Sequence, residues 1–229
     1  MVVVASYNIR KAIGTDRRRR PDRVLDVLQE VGADIVALQE IDRRFGARQA
    51  ALPPEMIAER THYTPVPFDL RPGSLGWHGN GILIRRGVRI IDFRPLVLPT
   101  LEPRGAVLAE VEVDGQELRV IGMHLDLSGL YRRRQARTVL EAVAACSRRM
   151  PTVLMGDLNE WRADRGCLRD FGSTFHIAET GPSFHARQPI ARLDRIMVSK
   201  GLSVVASGVH HSAMARLASD HLPVWARLE

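Results

Sequence analysis

Four strand-like segments follow one another between Gly79 and Leu125 with no helical pattern among them: "GNGILIRR", "VRIIDFRPLVL", "GAVLAEVEV" and "QELRVIGMHL". The last two meet at Asp114-Gly115, a dipeptide that accepts positive φ at both positions and so suits a two-residue hairpin. This stretch asks for antiparallel pairing. The N-terminal third asks for something else. "VVVASYNI" reads as a strand, and Pro21 and Asp22 open a helix with Val24, Leu25, Val27, Leu28 and Val31 on its apolar face. Gly32 stops that helix and "IVALQE" is a strand again, giving a β-α-β unit. Both patterns in 229 residues, with no low-complexity linker and no repeat of 20–50 residues, point to one compact α/β domain, residues 1–229, built on mixed sheets.

The remaining elements fit that plan. "LPPEMIAERT" reads as a short helix, and a longer one is expected from about Arg132 to Arg148 with Val139, Leu140 and Val143 inward. After it come the strand in "PTVLMGDLNEWR", a short helix near Asp164–Phe171, and strands at "LDRIMVS", "LSVVASGVH" and "HLPVWARL". The two cysteines, Cys146 and Cys167, have no metal-like spacing, and Cys146 falls on the apolar face of the predicted helix. A reduced, buried thiol and a reducing compartment follow as expectations. No segment resembles a signal peptide or reaches the ~20 apolar residues that cross a bilayer, so a cytoplasmic protein is expected.

Six predicted strands run out into residues of catalytic type. "SYNI" brings Asn8, "ALQE" Glu40, "IGMHLD" His124 with Asp126 close by, "LMGDLN" Asp157 and Asn159, "RLDRI" Asp194, and "ASDHLP" Asp220 and His221. Singly, each has a bland explanation. Gly156-Asp157 and Asn159 are turn chemistry, Glu40 opens a solvated charge run, Asp194 has Arg192 and Arg195 as neighbours, and His124 suits a satisfied core position. Six such strand ends together are harder to dismiss, because α/β proteins collect ligands at the edges of their sheets. The set is also chemically coherent. Glu40, Asp157, Asp220 and Asn8 are hard oxygen donors of the kind that suit Mg²⁺ or Mn²⁺ rather than Zn²⁺. Two histidines beside acids supply acid–base partners near neutral pH. Arg104, in "LEPRG", offers a bidentate grip on phosphate. Metal, imidazole and arginine together spell phosphoryl-ester hydrolysis.

The motifs "SYNIR", "LQE", "GNGILI", "MHLD", "GDLNEWR", "RLDRIMVS" and "SDHLP" occur in an order that resembles the endonuclease/exonuclease/phosphatase superfamily. That group holds the pancreatic-type deoxyribonucleases, AP endonucleases, inositol polyphosphate 5-phosphatases and neutral sphingomyelinases. The likeness covers nearly the whole chain and is stronger to a group of short bacterial members. It implies a four-layer α/β sandwich, two packed mixed β-sheets flanked by helices, and a metal-dependent phosphoesterase. Carried over by position, the resemblance makes Glu40 the main ligand of Mg²⁺ or Mn²⁺, with Asn8 beside it and Asp220 completing the metal site. Asp157 would orient or deprotonate the attacking water, and Asn159 would bond phosphate oxygens. Asp194 would hold the tautomer of His221, which would act as base or phosphate-polarising group. His124 would bond the phosphate or protonate the leaving oxygen, while Arg104 and Asn80 would contact the substrate phosphate.

The substrate is less constrained. With 33 basic against 26 acidic residues the chain carries +7, which favours an anionic partner such as nucleic acid, an acidic lipid surface or a phosphorylated small molecule. Only Lys11 and Lys200 are lysines, and genome base composition produces the same arginine skew, so charge alone decides nothing. A nuclease is favoured by "RRRR" at 17–20 and opposed by an aromatic content of 5%, since base-stacking platforms need aromatics. A phospholipid or headgroup phosphodiesterase is the alternative; the loop 70–79, with Trp77, is read either as a lid over such a substrate or as a packed loop. A binding module without catalysis ranks last, because none of the acid–base or metal residues is missing. A monomer is assumed.

Overall fold

In the computed structural model, which describes residues 1–43, 49–68 and 73–229, β1 (Val2–Asn8) and β2 (Ile35–Gln39) lie side by side in parallel, with Asn8 opposite Gln39. The helix between them, α1 (Pro21–Val31), starts on a proline at its first turn and buries Val24, Leu25, Val27 and Leu28. It ends where Gly32 takes a left-handed φ of 59° and returns its N–H to Leu28 O. After α2 (Pro54–Arg60) and a three-residue edge strand, β3 (Tyr63–Pro65), the chain enters the antiparallel run: β4 (Asn80–Arg85), β5 (Arg89–Leu96), β6 (Gly105–Val113) and β7 (Gln116–His124). The turn at Asp114-Gly115 has φ of 48° and 82°, the positive values its residues were chosen for. Then come α3 (Gly129–Ala144), β8 (Thr152–Asp157), α4 (Cys167–Gly172), β9 (Phe175–Ile177), β10 (Asp194–Ser199), β11 (Val204–Val209), α5 (Ala213–Ala218) and β12 (Val224–Leu228).

The strands form two six-stranded mixed sheets, ordered β11-β12-β1-β2-β4-β3 and β5-β6-β7-β8-β10-β9. Val4, Ile35, Ala37 and Ile82 of the first meet Val107, Val120, Met155 and Ile196 of the second in the core between them. The alternate residues face outward. Val36 and Leu38 pack under α1 and α5, and Ile121 and Met197 pack with Val139 of α3 and Phe171 of α4. Helix, sheet, sheet and helix therefore make four layers, each apolar face covered by the next.

This topology explains why the polar strand ends meet. A parallel strand finishes where an antiparallel neighbour begins. In the first sheet β1 and β2 finish beside the start of β4, with Gln39 opposite Asn80. In the second, β7 and β8 finish with His124 opposite Asp157, β6 begins with Gly105 opposite His124, and β10 begins with Asp194 opposite Asp157. The segment before β12, which pairs antiparallel with β1, brings Asp220 and His221 to the same end.

Some expectations need correction. The long helix runs from Gly129 to Ala144 rather than from Arg132 to Arg148, with Ser128 at its start and Ala145 at its end. Cys146 therefore lies beyond the helix and is half-buried, its thiol donating to Ala142 O at 3.2 Å and receiving an N–H from Arg94 at 3.2 Å. The buried thiol is Cys167, whose pKa burial pushes up to about 12, and both cysteines are free. Of the loop 70–79, residues 70–72 lie outside the described residues. Trp77 is half-buried and packs on the inter-sheet core close against Gly105, so it is a packed tryptophan. Arg17 to Arg20 form an exposed stretch before α1. Among the described residues, no helix is long and apolar enough to cross a membrane.

The six-residue α5 is too short to be stable alone and depends on its cap. Ser212 Oγ accepts the N–H of Ala215 at 2.9 Å and donates its own proton to Glu30 of α1 at 2.6 Å. Ser212→Ala is expected to cost about 1 kcal/mol, read as a lower midpoint in thermal or urea unfolding. An unchanged midpoint would mean that the cap contributes nothing.

Candidate active site

Asp157 sits at the centre of the strand ends. It is the last residue of β8, buried, and its two oxygens do different work. Oδ1 accepts the N–H of Asn159 at 3.0 Å, which is the turn chemistry expected of an Asp two residues ahead. Oδ2 accepts from Asn8 Nδ2 at 2.9 Å and lies 3.2 Å from His124 Nε2 and 3.7 Å from His221 Nε2. The same carboxylate therefore closes a turn and gathers a carboxamide and two imidazoles. Asn159 takes a left-handed φ of 50°, and its side chain donates to Leu125 O at 2.9 Å.

His221 is held from its other side. Its Nδ1 lies 2.8 Å from Asp194 Oδ2, which also accepts the Ser183 hydroxyl at 2.5 Å. Asp194 is 0% exposed, and its Oδ1 has no partner. Arg192 pairs with Glu179 instead, so the bland pairing for Asp194 does not occur with it. The ring of Phe184 covers the imidazole at 4.9 Å between centroids. Burial alone would lower the His221 pKa. The charges of Asp194 and Asp157, the hydrogen bond to Asp194 and the charge of Asp220 outweigh it and push the pKa up to about 10. Asp157 shows the converse. Burial would raise it, but the His221 and His124 charges, with hydrogen bonds from His124 and Asn8, hold it well below the usual carboxylate range. The result is an imidazolium clamped between two carboxylates, with both nitrogens able to donate.

The rim is cationic. The Arg104 guanidinium lies against the His124 ring, 2.7 Å from Nδ1, and pairs with Glu102 at 3.4 Å. Glu40, just past β2 with a left-handed φ of 55°, is ion-paired with Lys11. Burial would raise its pKa, yet His124, Lys11 and Arg104 together lower it. Asp220 pairs with Arg10 Nε at 3.3 Å, and the adjacent Ser219 hydroxyl donates to Asn8 O at 2.7 Å, tying this segment to the end of β1. Arg10, Lys11 and Ala12 all have left-handed backbones, φ 47°, 55° and 58°, a conformation that costs roughly 1–2 kcal/mol per residue. Strain of this kind collects at functional sites, and here it turns two cations onto two carboxylates. Asn80 is buried at the start of β4, with Nδ2 near Trp77 O and His78 O and Oδ1 unpartnered.

Asn8, His124, Asp157, Asp194 and His221 are thus linked directly, Arg104, Asn159 and Asp220 join them through one intermediary at most, and Glu40 feels the charges of His124 and Arg104. Asp126 does not join: its carboxylate accepts the N–H groups of Leu101 and Ser128 at 3.1 and 2.9 Å and closes a loop. Sequence reasoning missed Arg10, Lys11, Ser183 and Phe184. The two cations lie two and three residues after Asn8 and could have been sought there, whereas nothing local marks Ser183.

The donor set fits a hard divalent cation. The Glu40 and Asp220 carboxylates each already attract a side-chain cation, and the buried Asn8 Oδ1 accepts the N–H of Arg10 at 3.1 Å, so the location favours positive charge. Asp157, Asp194 and His221 also bring ligand atoms within 4.8 Å of one another, but there the imidazole already pairs with both carboxylates. Glu40, Asn8 and Asp220, the set the sequence suggested, would have to be the alternative seat for such an ion.

Comparison with known proteins agrees with this architecture. The model of the Endonuclease/Exonuclease/phosphatase family matches residues 5–221. The uncharacterized protein YbhP of Escherichia coli K12 is 28% identical over 245 residues, covering 98% of this chain and 95% of that one. Among solved structures, D. rerio TDP2 complexed with a single-strand DNA product superposes with a TM-score of 0.75 at 18% identity, covering 100% of this chain and 98% of that one. The mannosyl-6-phosphatase of Bacteroides thetaiotaomicron gives 0.74 at 21% identity, with 100% of both chains covered.

Proposed function

Because the chain belongs to the endonuclease/exonuclease/phosphatase family, whose members are hydrolases of phosphoester bonds, we propose that it is a phosphodiesterase dependent on Mg²⁺ or Mn²⁺. The observation that carries this reading is the convergence of Asn8, His124 and His221 on one oxygen of a buried, ionised Asp157. Such a carboxylate orients an attacking water by hydrogen bonding. His221, charged between Asp194 and Asp157, has a proton to give from Nε2 and so suits a phosphoryl oxygen that gains charge. Asp194 fixes the ring by its hydrogen bond at Nδ1. His124, with Arg104 against it, stands as donor to the leaving oxygen, and Arg104, Asn159 and Asn80 as contacts to the phosphate. Glu40, Asn8 and Asp220 would hold the metal, which when bound neutralises charge on the phosphate and aligns it for in-line attack.

Nucleic acid is the first substrate to test. Of the two structural neighbours, one carries a DNA product and the other is a sugar phosphatase, so the fold alone selects neither. A second reading, a phospholipid or its headgroup, has its own observation. Leu101, Leu127, Leu130, Trp161 and Ile190 are exposed on the segments that continue β7, β8 and the loops around the site, and such residues suit an apolar tail.

Supercoiled plasmid with Mg²⁺ or Mn²⁺ at roughly physiological salt, where nonspecific binding is suppressed, separates these readings. Nicking by the native protein is expected, with loss on adding EDTA and in Asp157→Ala. Intact plasmid together with turnover of an aryl phosphodiester that Asp157→Ala loses would favour the lipid reading. Turnover of neither would remove the catalytic reading.

A further inference from the structure

Arg195 is a buried arginine that forms no ion pair among the described residues. It follows Asp194 in β10 and, by strand alternation, faces the opposite side of the sheet, the side that Met197 takes in the outer core. Only 5% of it is exposed. Of its five N–H donors, one is used, from Nη1 to Asp194 O at 3.3 Å. Among the described residues it makes no ion pair. Burial pushes its pKa down against the attraction of Asp194. A guanidinium so placed is costly unless something anionic completes it.

The space for such a group is present. Arg195 lines a cavity of about 100 Å³ whose other walls include Ala163, Glu179, Thr180 and Arg192. Roughly 10–15 Å³ suffices for one water, so the cavity takes a tetrahedral oxyanion with room to spare. Arg192 at the mouth is half-exposed and bridges Glu179, itself 84% exposed, a surface pair that yields easily to a stronger partner. Two arginines at one cavity, one largely buried and one exposed, match the geometry of phosphate capture.

We propose that this cavity is a second anion site that holds a phosphate group on Arg195, with Arg192 closing over it. The site lies behind the catalytic sheet: Arg195 is the chain neighbour of Asp194 and pairs in register with Gly156, next to Asp157. It does not depend on the reaction assigned above. The phosphate belongs either to a further position along a substrate strand or to free inorganic phosphate, and both present the same oxygens.

The test is carried out on metal-free protein in an Arg104→Met background, which removes the arginine from the phosphate contacts at the catalytic end. Inorganic phosphate is expected to raise the melting temperature above that in chloride of equal ionic strength. Adding Arg195→Met is expected to cut that rise to the part due to the catalytic end and weaken phosphate binding at the cavity at least tenfold by calorimetry, while the melting temperature in chloride stays equal or increases. A phosphate-dependent rise of undiminished size in Arg195→Met overturns the proposal. Should that variant fail to fold, Arg192→Gln at the exposed mouth replaces it: a severalfold weaker phosphate affinity supports the site, and an unchanged affinity overturns it. A short single-stranded oligonucleotide separates the sources. If its affinity falls with inorganic phosphate affinity in Arg195→Met, the group is the substrate's. If only inorganic phosphate is affected, it is the free anion.

Discussion

Asn in place of Asp194 is expected to lower kcat on an aryl phosphodiester by about 10³–10⁴-fold while the protein stays folded. The substitution keeps the shape of a fully buried side chain and its hydroxyl partner, Ser183. What it removes is the charge that holds the Nδ1 proton of His221. The ring is then free to take the other tautomer, and the charged form loses the neighbour that contributes most to its stability after burial is set against it. A kcat within tenfold of the native value would remove His221 from the chemistry.

The same variant has a second readout, stability against pH in the metal-free protein. A histidine unfolds to a pKa of about 6.5, and His221 is folded at about 10. Its contribution is therefore complete below the unfolded value and is lost as pH rises through the folded one. Asp157, held low, contributes above the ordinary carboxylate range and loses that contribution as pH falls. The trio thus stabilises most between about pH 4 and 6.5. In Asp194→Asn the stability at pH 5.5 should drop and the decline toward pH 10 should flatten. A parallel decline in both proteins would count against a clamped imidazolium.

Much of the frame could be read from particular residues. Asp114-Gly115 gives the antiparallel pair of β6 with β7 and the β-α-β pattern around Gly32 the parallel pair of β1 with β2, whereas the strand ends at Asn8, Glu40, His124, Asp157, Asp194 and His221 are linked by their residue types and by the order of the motifs. Features that escaped were those whose energy is not local. The strands Tyr63–Pro65 and Phe175–Ile177 are three residues long and exist because a neighbouring strand offers its hydrogen bonds. The helix Ala213–Ala218 is too short for a periodic stripe. Lys11 and Arg10 read as solvated charges, since their approach to Glu40 and Asp220 depends on three left-handed residues that only the folded context imposes. Asp126 looked like a strand-end acid of the same kind as the others, but the N–H groups of Leu101 and Ser128 claim it.

Gly156→Ala is expected to be among the most damaging methyl groups that could be added to this protein. A Cβ on Gly156 would lie 1.8 Å from Met123 O, 2.8 Å from Met123 C and 3.0 Å from Met123 N. All three are backbone atoms of the parallel neighbour, so no side-chain rotation relieves the clash. β7 and β8 must move apart or break their register, in which Met123 faces Gly156 and His124 faces Asp157. Overpacking of this kind costs about 1–3 kcal/mol where side chains can give, and here about 3 kcal/mol or more is expected because they cannot. The displaced residues are the next ones along each strand, His124 and Asp157, which lie 3.2 Å apart. A shift of ~1 Å in such a constellation costs about 10²-fold in rate. Gly172→Ala is the control, since an added Cβ there meets nothing within 4 Å, and its midpoint should stay within about 1 kcal/mol of the native one. If Gly156→Ala melts with the control and turns over an aryl phosphodiester at the native rate, the close approach of β8 to β7 is wrong, and with it the placement of Asp157 between the two histidines.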